Sequence, residues 1–338
     1  MHYGHSNFSH LYIERAAEKY PMTEHLLSRF PKAERICIDN YKDVFARPGQ
    51  HFQTQKRSIK LILAVKKDNL IYRGSNNAQD FGYSNFHYNA LILNCVYNCD
   101  YCYLQGMYPS ANIVVFVNTE AYFSATGKAI DQRADPATPL YLAISYDTDL
   151  LALESLVPYC REWIEYSRRK DNLLIEIRTK SANYRALSDL PPHNQVVLAW
   201  SLSPESVVSR YEINTPPLER RLESAAQAIN DGWSVRLCFD PVLLIPNWRE
   251  SYRQLIERTF EKLPAEKVRD ISIGIFRMNA EYLKRIKKQR ADSDILYFPY
   301  ESNDRVVSPY QKEKDEMNTE ISTLLEEYVD KEKIAVWM

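Results

Sequence analysis

Cysteine is scarce: six residues in a chain of 338 are too few for a disulfide framework. No apolar run approaches the roughly 18 residues that a membrane span needs. The start, Met1-His2-Tyr3-Gly4-His5, lacks the charged and apolar regions of a secretory leader, so a cytoplasmic protein without membrane association is expected. Excess positive charge is missing too. With 43 Lys and Arg against 44 Asp and Glu the net charge is -1, which excludes holding nucleic acid by bulk electrostatics and leaves only a local patch. Low-complexity tracts and long internal repeats are absent. What remains is ordinary globular composition, 45% hydrophobic and 26% charged, at a length that α/β barrels reach as one domain.

Three of the few cysteines fall within one stretch, Cys95-Val96-Tyr97-Asn98-Cys99-Asp100-Tyr101-Cys102. A C-x3-C-x2-C run offers soft thiolates, which select zinc or iron–sulfur clusters over hard cations. Structural zinc takes four closed ligands, usually from two knuckles, and no fourth cysteine lies nearby. A cubane cluster on three cysteines leaves one iron open to an outside ligand. The competing reading makes Cys95 a core strand residue unrelated to the other two. Cys37, Cys160 and Cys238 are expected to be buried hydrophobes, as cysteine usually is.

Residues 1–85 read as an N-terminal segment. It carries helices at Glu14 to Tyr20 and Glu24 to Phe30, separated by Pro21, and a strand at Ser58 to Val65. Residues 86–280 alternate short apolar strands with crossovers: Asn89 to Cys95, Leu140 to Ser145, Leu173 to Lys180, Gln195 to Leu202, Ser234 to Val242 and Asp270 to Phe276. An extra strand is expected at 111–116, and helices at Asp149 to Ser167 and Pro217 to Asn230. The pattern predicts an α/β fold, a partial, open, six-stranded parallel βα barrel with N- and C-terminal extensions. The C-terminal extension, 281–338, holds a helix from Gln311 to Asp330 and a strand at Ile334 to Trp337, with room for substrate contacts.

In such folds ligands gather at the C-terminal strand ends. Those ends present Cys95, then Ser145-Tyr146-Asp147-Thr148-Asp149, Thr179-Lys180-Ser181, Trp200-Ser201 and Asp240-Pro241. Lys180 either meets a carboxylate or extends into solvent, and Asp149 either meets a substrate hydroxyl or amine or caps the following helix. Glu176 and Arg178 share the parity of Lys180 and form a candidate inward charge pair. The run Lys284, Arg285, Lys287, Lys288 and Arg290 is either a phosphate patch or a solvated helix face.

The cluster loop, with Tyr101 just before its last cysteine, resembles that of the radical S-adenosylmethionine (radical SAM) enzymes. Within them, Cys99-Asp100-Tyr101-Cys102-Tyr103-Leu104-Gln105 resembles the spore photoproduct lyase family, supported by Lys60 to Val65 with Lys66-Lys67, Thr179-Lys180, Trp200-Ser201 and Pro217 to Ala226. The similarity covers roughly residues 55 to 245.

The resemblance implies a 4Fe-4S cluster that reduces S-adenosylmethionine to a 5'-deoxyadenosyl radical, which abstracts hydrogen from a thymine dimer in DNA. It implies Cys95, Cys99 and Cys102 as metal ligands and Tyr101, Thr148, Lys180 and Ser201 as binders of S-adenosylmethionine, to which the strand-end argument adds Asp149 and Asp240 as cofactor-binding candidates. Tyr103 falls on the radical-transfer path. The family's hydrogen-donor cysteine corresponds here to Tyr146, a hydrogen donor itself, with Cys238 as a substitute candidate. The Gly-Arg-Tyr-Gly-like lesion-binding segment is replaced by Val306-Val307-Ser308-Pro309-Tyr310-Gln311.

The expected partners are damaged DNA or another nucleic acid and an electron donor such as flavodoxin or ferredoxin, the chain itself being a monomer. Two rivals stay open: the same cofactor chemistry on another nucleic acid or a small molecule, and a non-catalytic zinc or nucleic-acid binding protein.

Overall fold

A computed structural model describes residues 8–74 and 79–337, so the start of the chain, on which the expectation about a secretory leader was placed, lies outside the described residues. The chain divides into two compact units, Met1–Val96 with Met107–Ile177, and Tyr97–Gly106 with Arg178–Met338.

The first unit carries a five-stranded sheet in the order Glu34–Ile38, His10–Glu14, Leu61–Ala64, Ile113–Phe116, Ile92–Leu93. Its first four strands are parallel and Ile92–Leu93 runs antiparallel to Ile113–Phe116. Every residue of Leu61–Ala64 and Ile113–Phe116 is buried, as central parallel strands require. Asn118 ties the sheet to the chain after it, accepting from Lys66 N at 2.9 Å and donating to its carbonyl at 2.9 Å. The buried carboxylate of Glu14 accepts from the amides of Tyr41 at 2.7 Å and Val65 at 2.9 Å, so backbone donors replace its lost water.

Four expectations need correction in this unit. The run Asn89 to Cys95 forms only Ile92–Leu93, and that strand joins the N-terminal sheet; Phe86–Tyr88 is the strand that pairs in parallel with Leu140–Ala143. An apolar run states that a strand is buried, not which sheet buries it. Pro21 opens the helix Pro21–Arg29, because a proline at the first helical position loses no needed donor, while Glu14 to Tyr20 is a strand end and the 3-10 turn Arg15–Ala17. The stretch Asp149 to Ser167 is two helices, Leu150–Leu153 and Tyr159–Arg168, with Pro158 at the N-cap of the second. Cys37 is exposed, because Glu34–Ile38 is the edge strand of its sheet.

The second unit builds on parallel strands Val196–Ser201, Ser234–Val242, Asp270–Ile275 and Ile334–Trp337. Helix Leu218–Asn230 begins after Pro217 and buries Leu218, Leu222, Ala225, Ala228 and Ile229, an i, i+3, i+4 stripe. Helices Trp248–Lys262 and Gln311–Glu326 are linked by Arg249, 2.8 Å from Glu316. A small antiparallel sheet joins Met278–Asn279, Val306–Ser308 and Glu301–Asn303. Its hairpin turns at Asp304 and Arg305, both at positive φ, which matches the right-handed twist of the paired strands. No helix among the described residues is long and apolar enough to cross a membrane.

Candidate active site

Asn94 precedes the first thiol in the left-handed region at φ 68°, a conformation that Asn tolerates better than most side chains. Its amide fixes that turn by donating to the carbonyls of Ser110 at 2.7 Å and Asn112 at 2.8 Å. Lys56 then donates to the carbonyl of Cys95. Cys95 is thus placed by backbone geometry in the first unit, whereas Cys99 and Cys102 belong to the second. Among the described residues no three Cys, His, Asp or Glu side chains are gathered as a metal-holding set.

In the second unit, Asn98–Cys99 pairs antiparallel with Glu212–Ile213, and the amide of Asp100 donates to Tyr211 O at 2.7 Å. A tight turn follows, Cys102 N donating to Cys99 O at 3.2 Å. Gln105 closes the loop from inside through donation to Cys99 O at 2.6 Å. None of the six cysteines forms a disulfide.

Glu212 is the buried hub behind this loop. Its carboxylate accepts from Ser203 at 2.9 Å and from Tyr101 and Arg221, with Lys180 Nζ 3.7 Å away. Desolvation alone would push the carboxyl upward; Arg221 first, then Lys180 and the Tyr101 hydroxyl, reverse this and bring it down to about 2. Lys180 therefore neither extends into solvent nor stands alone: its ammonium lies 5.8 Å from the centroid of Tyr101. Arg178 pairs with Asp240 at 3.1 Å, while Glu176 accepts from Tyr141.

Ser201 and Cys238 are register partners on adjacent strands, as are Cys238 and Ser272, so the three side chains stand in a row on one face. All three are buried. Tyr103 is half-buried, and its carbonyl accepts from Gly106 N at 2.9 Å.

In the first unit, Asp149 caps its helix by accepting from Ala152 N at 3.0 Å. Beside it the Thr148 hydroxyl is buried with no hydrogen-bond partner among the described residues. A native buried hydroxyl left this way is a group awaiting a ligand or water. Tyr146 is 40% exposed and stacks on Tyr88 at 4.2 Å between centroids, and Tyr88 stacks on Tyr72 at 5.0 Å. Burial, then the neighbouring Tyr146, pushes the Tyr88 phenol up to about 12, so it keeps its proton at neutral pH.

The donor set suits an iron–sulfur cluster: three thiols in eight residues, two of them in the field of the buried cation Arg290 and one in that of Arg221. The orphaned Thr148 hydroxyl suits a polar cosubstrate. Sequence reasoning missed Glu212, Arg221, Gln105 and Arg290 as parts of this site. Arg290 belongs to the run that reads as either a phosphate patch or a solvated helix face, and the structure buries it instead.

The spore photoproduct lyase family model matches residues 7–334, and the chain belongs to that family. Spore photoproduct lyase of Bacillus subtilis (strain 168) is 24% identical over 95% of this chain and 94% of its own length. That of Clostridium acetobutylicum is 26% identical over 76% of this chain and 75% of its own. A solved spore photoproduct lyase complexed with dinucleoside spore photoproduct superposes with a TM-score of 0.83 at 19% identity, covering 98% of this chain and 99% of that one. A mutant form with bound AdoMet and dinucleoside spore photoproduct gives 0.82 at 19% identity, covering 98% of each chain. These structures share the α/β fold.

Proposed function

We propose that this chain repairs a spore-photoproduct thymine lesion in DNA, as a radical SAM lyase on an open parallel βα barrel. The family match over residues 7–334, a range that includes the three-cysteine loop, carries this reading. Cys95, Cys99 and Cys102 hold a 4Fe-4S cluster, and the cluster with S-adenosylmethionine supplies a 5'-deoxyadenosyl radical.

The chain's own residues bind, orient and shelter. Lys180 and Ser201 receive the methionine end of S-adenosylmethionine, Thr148 contributes its unpartnered hydroxyl, and Tyr101, Asp149 and Asp240 line the same cosubstrate. Glu212 holds Lys180 and Tyr101 in place from behind. Tyr103 lies on the hydrogen path, and Tyr146 gives the final hydrogen, with Cys238 as the substitute. The C-terminal part, residues 281–338, meets the lesion, which must leave the base stack to be reached. An electron donor such as flavodoxin or ferredoxin serves a monomeric cytoplasmic enzyme.

Anaerobically purified protein is expected to be brown with about four irons per chain. With dithionite and S-adenosylmethionine it should release 5'-deoxyadenosine, and Cys99→Ala should release none. Given dinucleotide spore photoproduct, it should return thymidylyl-thymidine. Colourless protein with one zinc would overturn the reading outright. 5'-Deoxyadenosine without thymidylyl-thymidine favours another nucleic-acid or small-molecule substrate, a reading that the Tyr146 and Val306 to Gln311 departures support.

A further inference from the structure

The cluster loop has a second support that lies far away in sequence. Arg290, just beyond helix Ala280–Lys287, is buried and spends its whole guanidinium on the loop. Its Nε donates to Gln105 Oε1 at 2.7 Å, Nη1 to Asp100 Oδ1 at 2.6 Å, and Nη2 to the carbonyl of Asn98 at 2.9 Å as well as to its side chain. Ser293 donates to the other Asp100 oxygen at 2.6 Å, and Arg285 to the carbonyl of Gly106 at 3.0 Å. A Cβ on Gly106 would stand 2.7 Å from the carbonyl oxygen of Tyr282, so the two segments are pressed together where only glycine fits.

Two physical consequences follow. A rigid planar fork on three loop residues fixes the path between the thiols in a way a lysine cannot copy. Asp100 pairs with this charge directly and Asp292 lies within its field, which also reaches the sulfurs of Cys99 and Cys102. In a buried site that field is weakly screened.

We propose that Arg290 is a positioning residue of the metal centre, holding the Asn98–Gln105 loop in shape and supplying the positive charge that sets the cluster's midpoint potential, with Asp100 as its attenuator. This rests on the reading that Cys99 and Cys102 bind the cluster. One-electron reduction makes a cluster more negative, so a nearby cation favours the reduced form. Charge and shape then make different predictions.

The test is an EPR-monitored redox titration of full-length holoprotein, with iron content measured alongside. Arg290→Met should lower the midpoint, and Asp100→Asn, which leaves the arginine and removes its counter-charge, should raise it. Arg290→Lys should stay near wild type in midpoint while losing iron several-fold faster to a chelator. Midpoints that do not move, or that move the same way in Arg290→Met and Asp100→Asn, overturn the proposal and leave a purely structural clamp. If Arg290→Met holds no iron, the direction of the Asp100→Asn shift and the midpoint of Arg290→Lys decide. Wild-type protein without a cluster removes the underlying reading instead, a result separable from unchanged midpoints in a loaded protein.

Discussion

Glu212 and Glu154 are both fully buried glutamates, one in each compact unit, and they end at opposite extremes. Glu154 accepts from the amides of Cys160 at 2.8 Å and Arg161 at 2.9 Å, at the start of helix Tyr159–Arg168. Desolvation dominates there, and those amides recover only part of it, so its carboxyl rises to about 7. Glu212 suffers the same desolvation but faces Arg221 and Lys180, and it falls to about 2. Helix-end dipoles offset part of the cost of burying a charge, whereas complete cations reverse it. The unit that contains Cys99 and Cys102 therefore keeps its buried glutamate charged, whereas the buried glutamate of the other unit exchanges its proton near neutrality.

The largest way to break this contrast is Arg221→Met, which strands the Glu212 carboxylate and should cost about 3–5 kcal/mol in urea unfolding of the apoprotein. A loss below about 1 kcal/mol would show that Lys180 alone suffices. The pH dependence of stability comes next, with signs that oppose. The contribution of Glu212 is present above its ordinary 4.5 and disappears as pH falls toward about 2; Glu212→Gln should remove that acid-side slope. The contribution of Glu154 is present below 4.5 and is lost as pH rises through about 7, on the order of 3 kcal/mol, so Glu154→Gln should flatten the curve over that window. Parallel slopes for the two variants would refute the comparison.

Smaller still, Tyr101→Phe removes one donor from a carboxylate that keeps three partners, at about 1 kcal/mol. Tyr146→Phe keeps the stack on Tyr88 and should leave stability within about 0.5 kcal/mol. It should also leave 5'-deoxyadenosine release intact while lowering thymidylyl-thymidine recovery from the dinucleotide. Full recovery of that product would remove Tyr146 from the hydrogen path and direct attention to Cys238.

Local pattern made part of this molecule readable. The thiols are adjacent in sequence, so their chemistry is visible without a fold, and the strand Ile334–Trp337 and helix Leu218–Asn230 announce themselves by apolar spacing and Pro217. The pairing of strands is not local, which is why the run Asn89 to Cys95 does not announce that its strand joins the N-terminal sheet, nor Cys37 that it lies exposed on an edge strand. Buried charge was hardest to read. Glu212 and Arg221 look like ordinary surface residues until the fold desolvates both, and Arg290 sits in a run whose other members suit a solvated helix. A side chain that acts by reaching across the fold leaves almost no trace in its own neighbourhood.

The bond between Asp100 and Arg290 spans 190 positions of the chain. During synthesis the cysteine segment is made long before its guanidinium partner exists, roughly twenty seconds earlier at about ten residues per second. In that interval the loop has no fixed course, so on the proposed reading a chain truncated before Arg290 should emerge without iron, as metal analysis would show.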